Sequence, residues 1–149
     1  MFDNLGDLYQ QVILDHSKSP RNFGELPGAN HHAQGRNPLC GDNVNVAVKM
    51  NGDVIEDIRF QGSGCAIAKA SASVMTTALK GKTLTEAKSL FEQFHNLVMT
   101  GESAPCEQLG KLSVFGGVHR YPARVKCAIL AWHAALAAMA GKADPISTE

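Results

Sequence analysis

The sequence predicts an α+β fold in which a small antiparallel β-sheet packs against several helices. Three observations predict it: a helical apolar period near the N-terminus, an alternating segment that begins at residue 43, and helical periods that return from residue 65. The chain has 149 residues, 44% of them hydrophobic, and domains typically run to roughly 100–200 residues. We therefore expect a single domain over residues 1–149.

The first forty residues predict a helix followed by a loop. Apolar residues recur there at i, i+3, i+4, i+7 and i+8, so the helix should end between Ser17 and Pro20. The residues of this stripe are Leu5, Leu8, Tyr9, Val12 and Ile13. Residues 21–41 are rich in Pro, Gly, Asn and His and show no period, which predicts a loop.

Two antiparallel strands should follow this loop. Alternate residues from position 44 to position 50 are apolar and would share one face of a strand: Val44, Val46, Val48 and Met50. The dipeptide Asn51-Gly52 is typical of a two-residue hairpin turn, and "DVIEDIRF" after it has the composition of a second strand.

Three more helices are predicted from residue 65 onward, and the first two are separated by a short turn. The first follows the glycines of "GSG" at residues 62–64 and ends at Gly81, with a narrow stripe made of Ile67, Ala70, Val74 and Ala78. Thr83 and Glu86 form a capping box for the next helix, which should stop before Gly101. Its core-facing residues would be Leu84, Ala87, Phe91, Phe94 and Val98.

The C-terminal third combines an irregular segment with the last helix. Residues 99–121 have no clear period and predict a loop or a short helical segment. Pro122 is suited to the first position of a helix, which then runs to Gly141. We expect residues 142–149 to be a frayed tail.

Composition and charge exclude several classes of function. Fourteen Lys and Arg residues balance fourteen Asp and Glu residues, so the basic surface of a nucleic-acid-binding protein or a polybasic membrane anchor is not expected. The N-terminal "MFDNLGDLYQ" has neither the basic nor the apolar region of a signal peptide. The longest nearly apolar run, residues 127–140, is too short to span a membrane. We expect a cytoplasmic protein with neither nucleic acid nor membrane among its partners.

Three of the four cysteines lie in contexts that stabilise a thiolate. Cys40 precedes Gly41 at a strand start, and Cys65 follows "GSG" at a helix N-terminus. Cys127 lies early in a helix, with Arg124 and Lys126 just before it. A helix dipole or a nearby cation stabilises a thiolate, and glycine permits close approach of the backbone. Cys106 has no such support and reads as a loop thiol without a role.

Helical projections place two of these thiols away from the apolar stripes. On the last helix Cys127 points away from a cluster made of Val125, Ile129, Trp132, Leu136 and Met139. Cys65 likewise lies opposite the stripe of its helix. Leu130 and Ala134 share the side of Cys127, so a second helix covering that side stays an alternative.

Asp42 completes a candidate metal site. It lies two residues after Cys40, where strand alternation puts both side chains on one face. Three thiolates and one carboxylate make four ligands, the number that a tetrahedral zinc site needs. The histidines offer less: the pair His31-His32 reads as part of a polar loop, and His119 and His133 as surface residues.

Four segments make the chain resemble the U-type iron-sulfur cluster assembly scaffolds, the family that contains IscU, SufU and the N-terminal domain of NifU. The segments are "LYQQVILDHSKSPRN" (8–22), "NPLCGDNV" (37–44), "GSGCAIAKASASVMT" (62–76) and "YPARVKCAILAW" (121–132). The resemblance covers almost the whole chain and implies an IscU/NifU-N-like fold. It also implies that Cys40, Asp42, Cys65 and Cys127 are the ligands, the same set that the residue contexts favour.

One departure places the chain nearer to SufU within this family. The IscU branch has a histidine immediately before the last cysteine, whereas this chain has Lys126. A protonated lysine has no lone pair to give a metal. The stretch "SAPCEQLGKLSVFGGVHR" between Cys65 and Cys127 also resembles SufU, and Cys106 in it lies outside the ligand set of the family.

The resemblance implies an iron-sulfur cluster assembly scaffold that receives sulfur from a cysteine desulfurase of the SufS type. It would hold iron or a nascent [2Fe-2S] cluster on Cys40, Asp42, Cys65 and Cys127, and serve recipient apo iron-sulfur proteins or carriers. An oxygen ligand binds iron less tightly than a fourth thiolate would, so Asp42 would be the labile ligand. A scaffold or sulfur acceptor of this kind is not a turnover enzyme.

Three alternatives remain at this point. The first is a zinc-dependent sulfurtransferase, with Zn²⁺ on the same four ligands, Cys40 as persulfide acceptor and Lys126 as a stabiliser of the thiolate. The second is a structural zinc domain. The third is a cysteine-dependent hydrolase, which needs a base beside its nucleophile; the helical projections pair no histidine with a cysteine.

Overall fold

A computed structural model describes residues 4–37, 41–101, 107–141 and 146–147 and confirms the α+β fold. The helices are α1 (Asn4–Lys18), α2 (Ala66–Leu79), α3 (Leu84–Thr100) and α4 (Pro122–Met139), and a 3₁₀ segment spans Glu107–Arg120. The strands are β1 (His31–Asn37), β2 (Asp42–Asn51), β3 (Val54–Ser63) and β4 (Ile146–Ser147). Cys40 and Cys106 lie outside the described residues.

The sheet has the order β3-β2-β1-β4, and the first three strands are antiparallel. The apolar face predicted for β2 is confirmed, since Val44, Val46, Val48 and Met50 are all buried. Inward residues of β3 extend this face: Ile55, Ile58 and Phe60. Helix α4 packs across β1 and β2, while α2 packs between α4, β3 and α1. All helices that touch the sheet therefore cover the same face, and the core lies between them.

The predicted helix ends agree with the observed caps. Thr83 and Glu86 form the predicted capping box, and the backbone N–H of Thr83 donates to the Glu86 carboxylate. This hydrogen bond lowers the pKa of the Glu86 carboxyl. Gly101 ends α3 in the left-handed conformation at φ 78°, and Pro122 opens α4. These local signals fix the ends of α3 and the start of α4 without help from the rest of the fold.

The prediction of a loop over residues 21–41 was wrong for residues 31–37, which form β1. The segment "HHAQGRN" contains no β-branched residue, so no strand pattern is visible in it. It forms a strand because small residues let it approach α4: a Cβ added at Gly35 would lie 3.0 Å from Leu130 Cδ1 and 3.4 Å from Ala134 Cβ. Tertiary packing therefore defines this strand.

The hairpin turn lies one residue later than predicted. Asn51 pairs with Val54, so the turn residues are Gly52 and Asp53. A register shift between Lys49 and Met50 aligns Met50 with Ile55, and both of these side chains are buried. Burial of this pair accounts for the shifted turn.

Helix α4 is buried on almost every side, which corrects the expected position of Cys127. Twelve residues of α4 are buried: Val125, Cys127, Ala128, Ile129, Leu130, Ala131, Trp132, Ala134, Ala135, Ala137, Ala138 and Met139. On the predicted stripe Trp132 stacks on Phe94 with ring centroids 4.9 Å apart. On the side that carries Leu130 and Ala134, β1 packs against the helix at Gly35, and α2 packs against α4 as well.

Helix α2 buries a wider face than predicted, and part of that face is polar. Ala70 and Val74 are buried as expected, but Ser71, Ser73 and Thr76 are buried too. Each hydroxyl has a partner: Ser71 donates to the Ala128 carbonyl at 2.5 Å, Ser73 bonds His16 Nδ1 at 2.6 Å, and Thr76 donates to its own helix. Because these groups are satisfied, α2 can lie against α1 and α4 at once.

The C-terminal tail, for which fraying is predicted, includes a short strand at Ile146–Ser147. These two residues pair in parallel with Gly35 and Arg36. The outer edge of β1 offers backbone hydrogen-bonding groups that this segment satisfies. No helix in the described ranges is long and apolar enough to cross a membrane.

We predict that Gly35→Ala destabilises the protein by about 1–3 kcal/mol, because the added methyl group would overpack the contact with Leu130 and Val44. The matched control is Gly117→Ala, where a Cβ meets nothing within 4 Å. Urea unfolding of the metal-free proteins measures both. Equal unfolding midpoints for Gly35→Ala and the wild type would contradict the packing described for β1.

Candidate metal centre

Three predicted ligands converge where the sheet meets two helix N-termini. Asp42 is the first residue of β2, Cys65 is the N-cap of α2, and Cys127 lies in the second turn of α4. One ligand atom from each lies within 4.8 Å of the other two. In a tetrahedral zinc site with Zn–S bonds of about 2.3 Å, two sulfur ligands are about 3.8 Å apart. A contraction of about 1 Å would therefore bring these atoms to coordination distance.

Asp42 joins the end of the sheet to the start of α2. It is 2% exposed, and its Oδ1 accepts a hydrogen bond from the Cys65 backbone N–H at 2.8 Å. Its Oδ2 lies 3.9 Å from Cys65 Sγ. The carboxylate therefore occupies the positive end of the α2 dipole, where a negative charge is stabilised.

Cys65 is the most accessible of the three ligands. Its backbone is extended, at φ −71° and ψ 163°, and its Sγ accepts a hydrogen bond from the Ala68 backbone N–H at 3.4 Å. A sulfur in this position takes the place of the usual Ser or Asp oxygen at a helix start. The residue is half-buried, so its thiol can be reached from solvent.

Cys127 is held rigidly in the core. It is fully buried, and its Sγ lies 3.5 Å from the Ala123 carbonyl of the preceding turn. The side-chain Nδ2 of Asn37 donates to the same sulfur at 3.8 Å. The sequence places this thiol off the main apolar stripe of α4. In the structure the thiol faces Asp42 and Cys65, the other two candidate ligands.

The glycine at position 64 makes room for Asp42. A Cβ at Gly64 would overlap Asp42 Oδ1 and press on the Asp42 Cα. The close backbone approach predicted for "GSG" is thus an approach of the β3–α2 junction to the carboxylate. Any larger residue would push Asp42 out of the cluster.

The comparisons with known proteins decide the family. Residues 8–128 match the family model of the NifU-like N-terminal domain. The chain belongs to this family. The zinc-dependent sulfurtransferase SufU of Bacillus subtilis (strain 168) is 44% identical over 131 residues, which cover 88% of each chain. The iron-sulfur cluster assembly scaffold protein IscU of Streptococcus pyogenes serotype M1 is 43% identical over 130 residues, which cover 87% of this chain and 81% of that protein.

A solved structure with a similar sequence supports the same fold. The crystal structure of an iron-sulfur cluster assembly scaffold protein for the SUF system from Fervidobacterium islandicum AW-1 superposes with a TM-score of 0.82 at 35% identity. The superposition covers 89% of this chain and 97% of the chain from F. islandicum. The IscU/NifU-N-like fold predicted from the sequence is confirmed.

The donor set of this NifU-like domain suits a metal ion. Two thiols and one carboxylate are ligands for Zn²⁺ and for iron. Beside them, the buried Asn37 Oδ1 accepts no hydrogen bond from any residue in the described part of the chain. A buried acceptor of this kind next to three ligand groups fits a site that binds a metal ion or another polar group. Cys40, the fourth predicted ligand, lies outside the described residues.

A narrow cleft of about 20 Å³ lies beside the cluster, between the ends of β2 and β3 and the helices α2 and α4. Asp42, Gly64 and Lys69 are among the residues that line it. The Lys69 ammonium lies 5.3 Å from the ring centroid of Phe23, which holds it over an aromatic face. The cleft has room for about one water molecule beside Asp42.

None of the described histidines belongs to the cluster. His32 is exposed in β1, and His31 Nδ1 bonds Asn30 Oδ1 at 2.8 Å, so both remain polar residues as predicted, although in a strand. His119 and His133 are half-buried and not surface residues, because His119 bonds the Gly116 carbonyl and His133 packs edge-on against Phe91. Burial lowers the pKa of His133, and the charge of His95 lowers it further.

Sequence reasoning missed Asn37. Asn37 is fully buried and contacts Cys127, 90 residues away. The only signal in the sequence is the alternation of Ala33, Gly35 and Asn37, which becomes visible once residues 31–37 are recognised as a strand. Lys126, by contrast, was singled out from the sequence as a stabiliser of the thiolate, and that role stays a prediction. Its side chain is half-buried, next to Cys127 in α4.

We expect Gly64→Ala to lower the affinity of the protein for zinc by at least about tenfold, because the methyl group displaces Asp42 from the cluster. Competition with a chromogenic chelator measures this affinity. The control is Gly24→Ala, which also places alanine at a positive φ but meets nothing within 4 Å. Equal zinc affinities of the two variants would contradict the role assigned to Gly64.

Proposed function

We propose that this chain is an iron-sulfur cluster assembly protein that holds a metal on Cys40, Asp42, Cys65 and Cys127 and accepts sulfur from a cysteine desulfurase. The observation that carries the proposal is the convergence of Asp42, Cys65 and Cys127 within 4.8 Å. Membership of the NifU-like family supports it, as do the names of the relatives from B. subtilis and S. pyogenes.

The mixed donor set favours a transfer role over a purely structural one. Structural zinc sites are closed, and cysteine and histidine are their usual ligands. Here one ligand is a carboxylate, and another, Cys65, is only half-buried. The cysteine-dependent hydrolase is disfavoured, since the described cluster contains no histidine that could serve as a base.

Sulfur transfer to this chain requires no external oxidant. The thiolate of the acceptor cysteine attacks the terminal sulfur of a persulfide on the desulfurase. A new S–S bond forms on the acceptor, the S–S bond on the desulfurase breaks, and the desulfurase cysteine leaves as a thiolate. We assign the acceptor role to Cys40, whose position next to Gly41 distinguishes it from the core-bound Cys127.

The metal distinguishes two versions of this function. In the scaffold version iron and sulfide are the cargo, and the Asp42 oxygen is the ligand that lets a [2Fe-2S] cluster leave. In the zinc-dependent sulfurtransferase version Zn²⁺ keeps the thiolates deprotonated and is redox-inert. Lys126 favours the second version, because the IscU branch has a histidine at this place and the departure makes the chain resemble SufU.

Partners and compartment follow from the same chemistry. The donor is a desulfurase of the SufS type, and the recipients are apo iron-sulfur proteins or carriers. Thiolate ligands stay reduced in the cytoplasm, and this is the compartment that we propose for a metal site built on three cysteines.

We predict that Cys40→Ala, Cys65→Ala and Cys127→Ala each abolish stoichiometric metal binding, because each removes one of four ligands. Cys106→Ala, the matched control, should keep one metal ion per chain. Elemental analysis of the purified variants measures the stoichiometry. Full metal retention in any of the first three variants would refute its assignment as a ligand.

The same preparations separate the two versions of the function. Zinc outcompetes ferrous iron at such ligands, so the aerobically purified protein should contain zinc and show no visible absorbance. A brown, iron-containing preparation would favour the scaffold version instead.

We predict that Lys126→Ala slows persulfide transfer by about fivefold while the metal is retained, the effect of losing about 1 kcal/mol of electrostatic stabilisation of a thiolate. Lys126→Arg keeps the charge and should keep the rate. Lys80→Ala, which removes a surface partner of Asp57, is the control for loss of a lysine elsewhere. Transfer of labelled sulfur from the desulfurase measures the rate. An unchanged rate in Lys126→Ala would remove this role.

A further inference from the structure

Asn37 occupies a distinctive position at the end of β1. It is the last residue of the strand and is 0% exposed. In the ladder between β1 and β2 it pairs directly with Asp42. The residue thus lies opposite one ligand of the metal site and in hydrogen-bonding contact with another.

The contact with the second ligand is a hydrogen bond to sulfur. Asn37 Nδ2 donates to Cys127 Sγ at 3.8 Å. A hydrogen bond to a thiolate withdraws electron density from the sulfur and fixes the direction of its lone pairs. Asn37 can therefore influence both the orientation of Cys127 and its strength as a donor.

Packing alone does not explain an asparagine here. The two preceding inward residues of β1, Ala33 and Gly35, are small and carry no polar group. A buried amide is costly unless its groups are bonded, so a polar side chain at the inward position nearest the ligands indicates a polar role.

We propose that Asn37 is a positioning residue of the metal site, which orients Cys127 toward the metal through an N–H···S hydrogen bond and lowers the energy of the sulfur lone pairs. This inference rests on the proposed metal-binding function. It adds a fifth residue to the site, from a strand that supplies none of the ligands.

The test compares Asn37→Leu with the wild type after cobalt substitution. Both proteins should bind one Co²⁺ per chain. In Asn37→Leu the thiolate-to-cobalt charge-transfer band should move to longer wavelength, because the sulfur loses a hydrogen bond that lowers the energy of its lone pairs. The affinity for zinc should fall by about tenfold, the lower end of the effect of removing a residue that orients a ligand.

Gln34→Leu is the control, because Gln34 lies on the outward face of the same strand and its amide bonds Asn43 Oδ1. It should change neither the band nor the affinity. An unmoved band in a fully loaded Asn37→Leu protein would overturn the proposal, even if affinity fell, since loss of packing alone has that effect. If Asn37→Leu does not fold, Asn37→Ala decides by the same band, because it removes the N–H without adding volume or charge.

The two proposals fail in different ways. A wild-type protein that binds no cobalt would refute the metal site itself, and the role of Asn37 with it. A wild type with one Co²⁺ and an Asn37→Leu variant with an identical band would refute the role of Asn37 alone.

Discussion

The hydrogen bond from the Cys65 backbone N–H to Asp42 is the interaction on which the site depends. At 2.8 Å it ties the first residue of β2 to the N-cap of α2. A charged acceptor at a helix N-terminus gains from both the hydrogen bond and the dipole. Because Asp42 is almost fully buried, the bond also compensates the loss of its hydration. The pairing of Asn43 with Ser63 already brings the two ends together, and this bond then fixes the Asp42 carboxylate beside Cys65.

The second constraint is the burial of α4. This helix packs against β1, β2, α2 and α3, so Cys127 has little freedom to move. Cys65 and Asp42 sit at element ends, where small movements are possible. One ligand is therefore anchored in the core, while the other two lie where the sheet meets α2. This arrangement suits a site that must bind a metal and also release it.

How much the sequence predicts depends on whether the signal is local. The capping box at Thr83, the C-cap at Gly101 and the alternation of Val44 to Met50 are local, and all were confirmed. Strand β1 was missed because its formation depends on the contact of Gly35 with Leu130, 95 residues away, which no local pattern records.

The same distinction applies to the site. Cys65 and Cys127 were identified from the glycines and cations that flank them, and Asp42 from its position two residues after Cys40; the structure brings all three together. Asn37 was not identified, since its role requires knowing both that β1 is a strand and that α4 lies across it. The contact of Cys127 with strand β1 was missed for a related reason. Helix α4 is apolar on nearly all sides, so a helical projection does not show which element packs against which side.

The most direct test of this account is X-ray absorption at the zinc edge of the zinc-loaded protein. The account predicts three sulfur neighbours at about 2.3 Å and one oxygen neighbour at about 2.0–2.2 Å. A first shell with two sulfur atoms, with four sulfur atoms, or with a histidine nitrogen would contradict the assignment of Cys40, Asp42, Cys65 and Cys127 as the metal site.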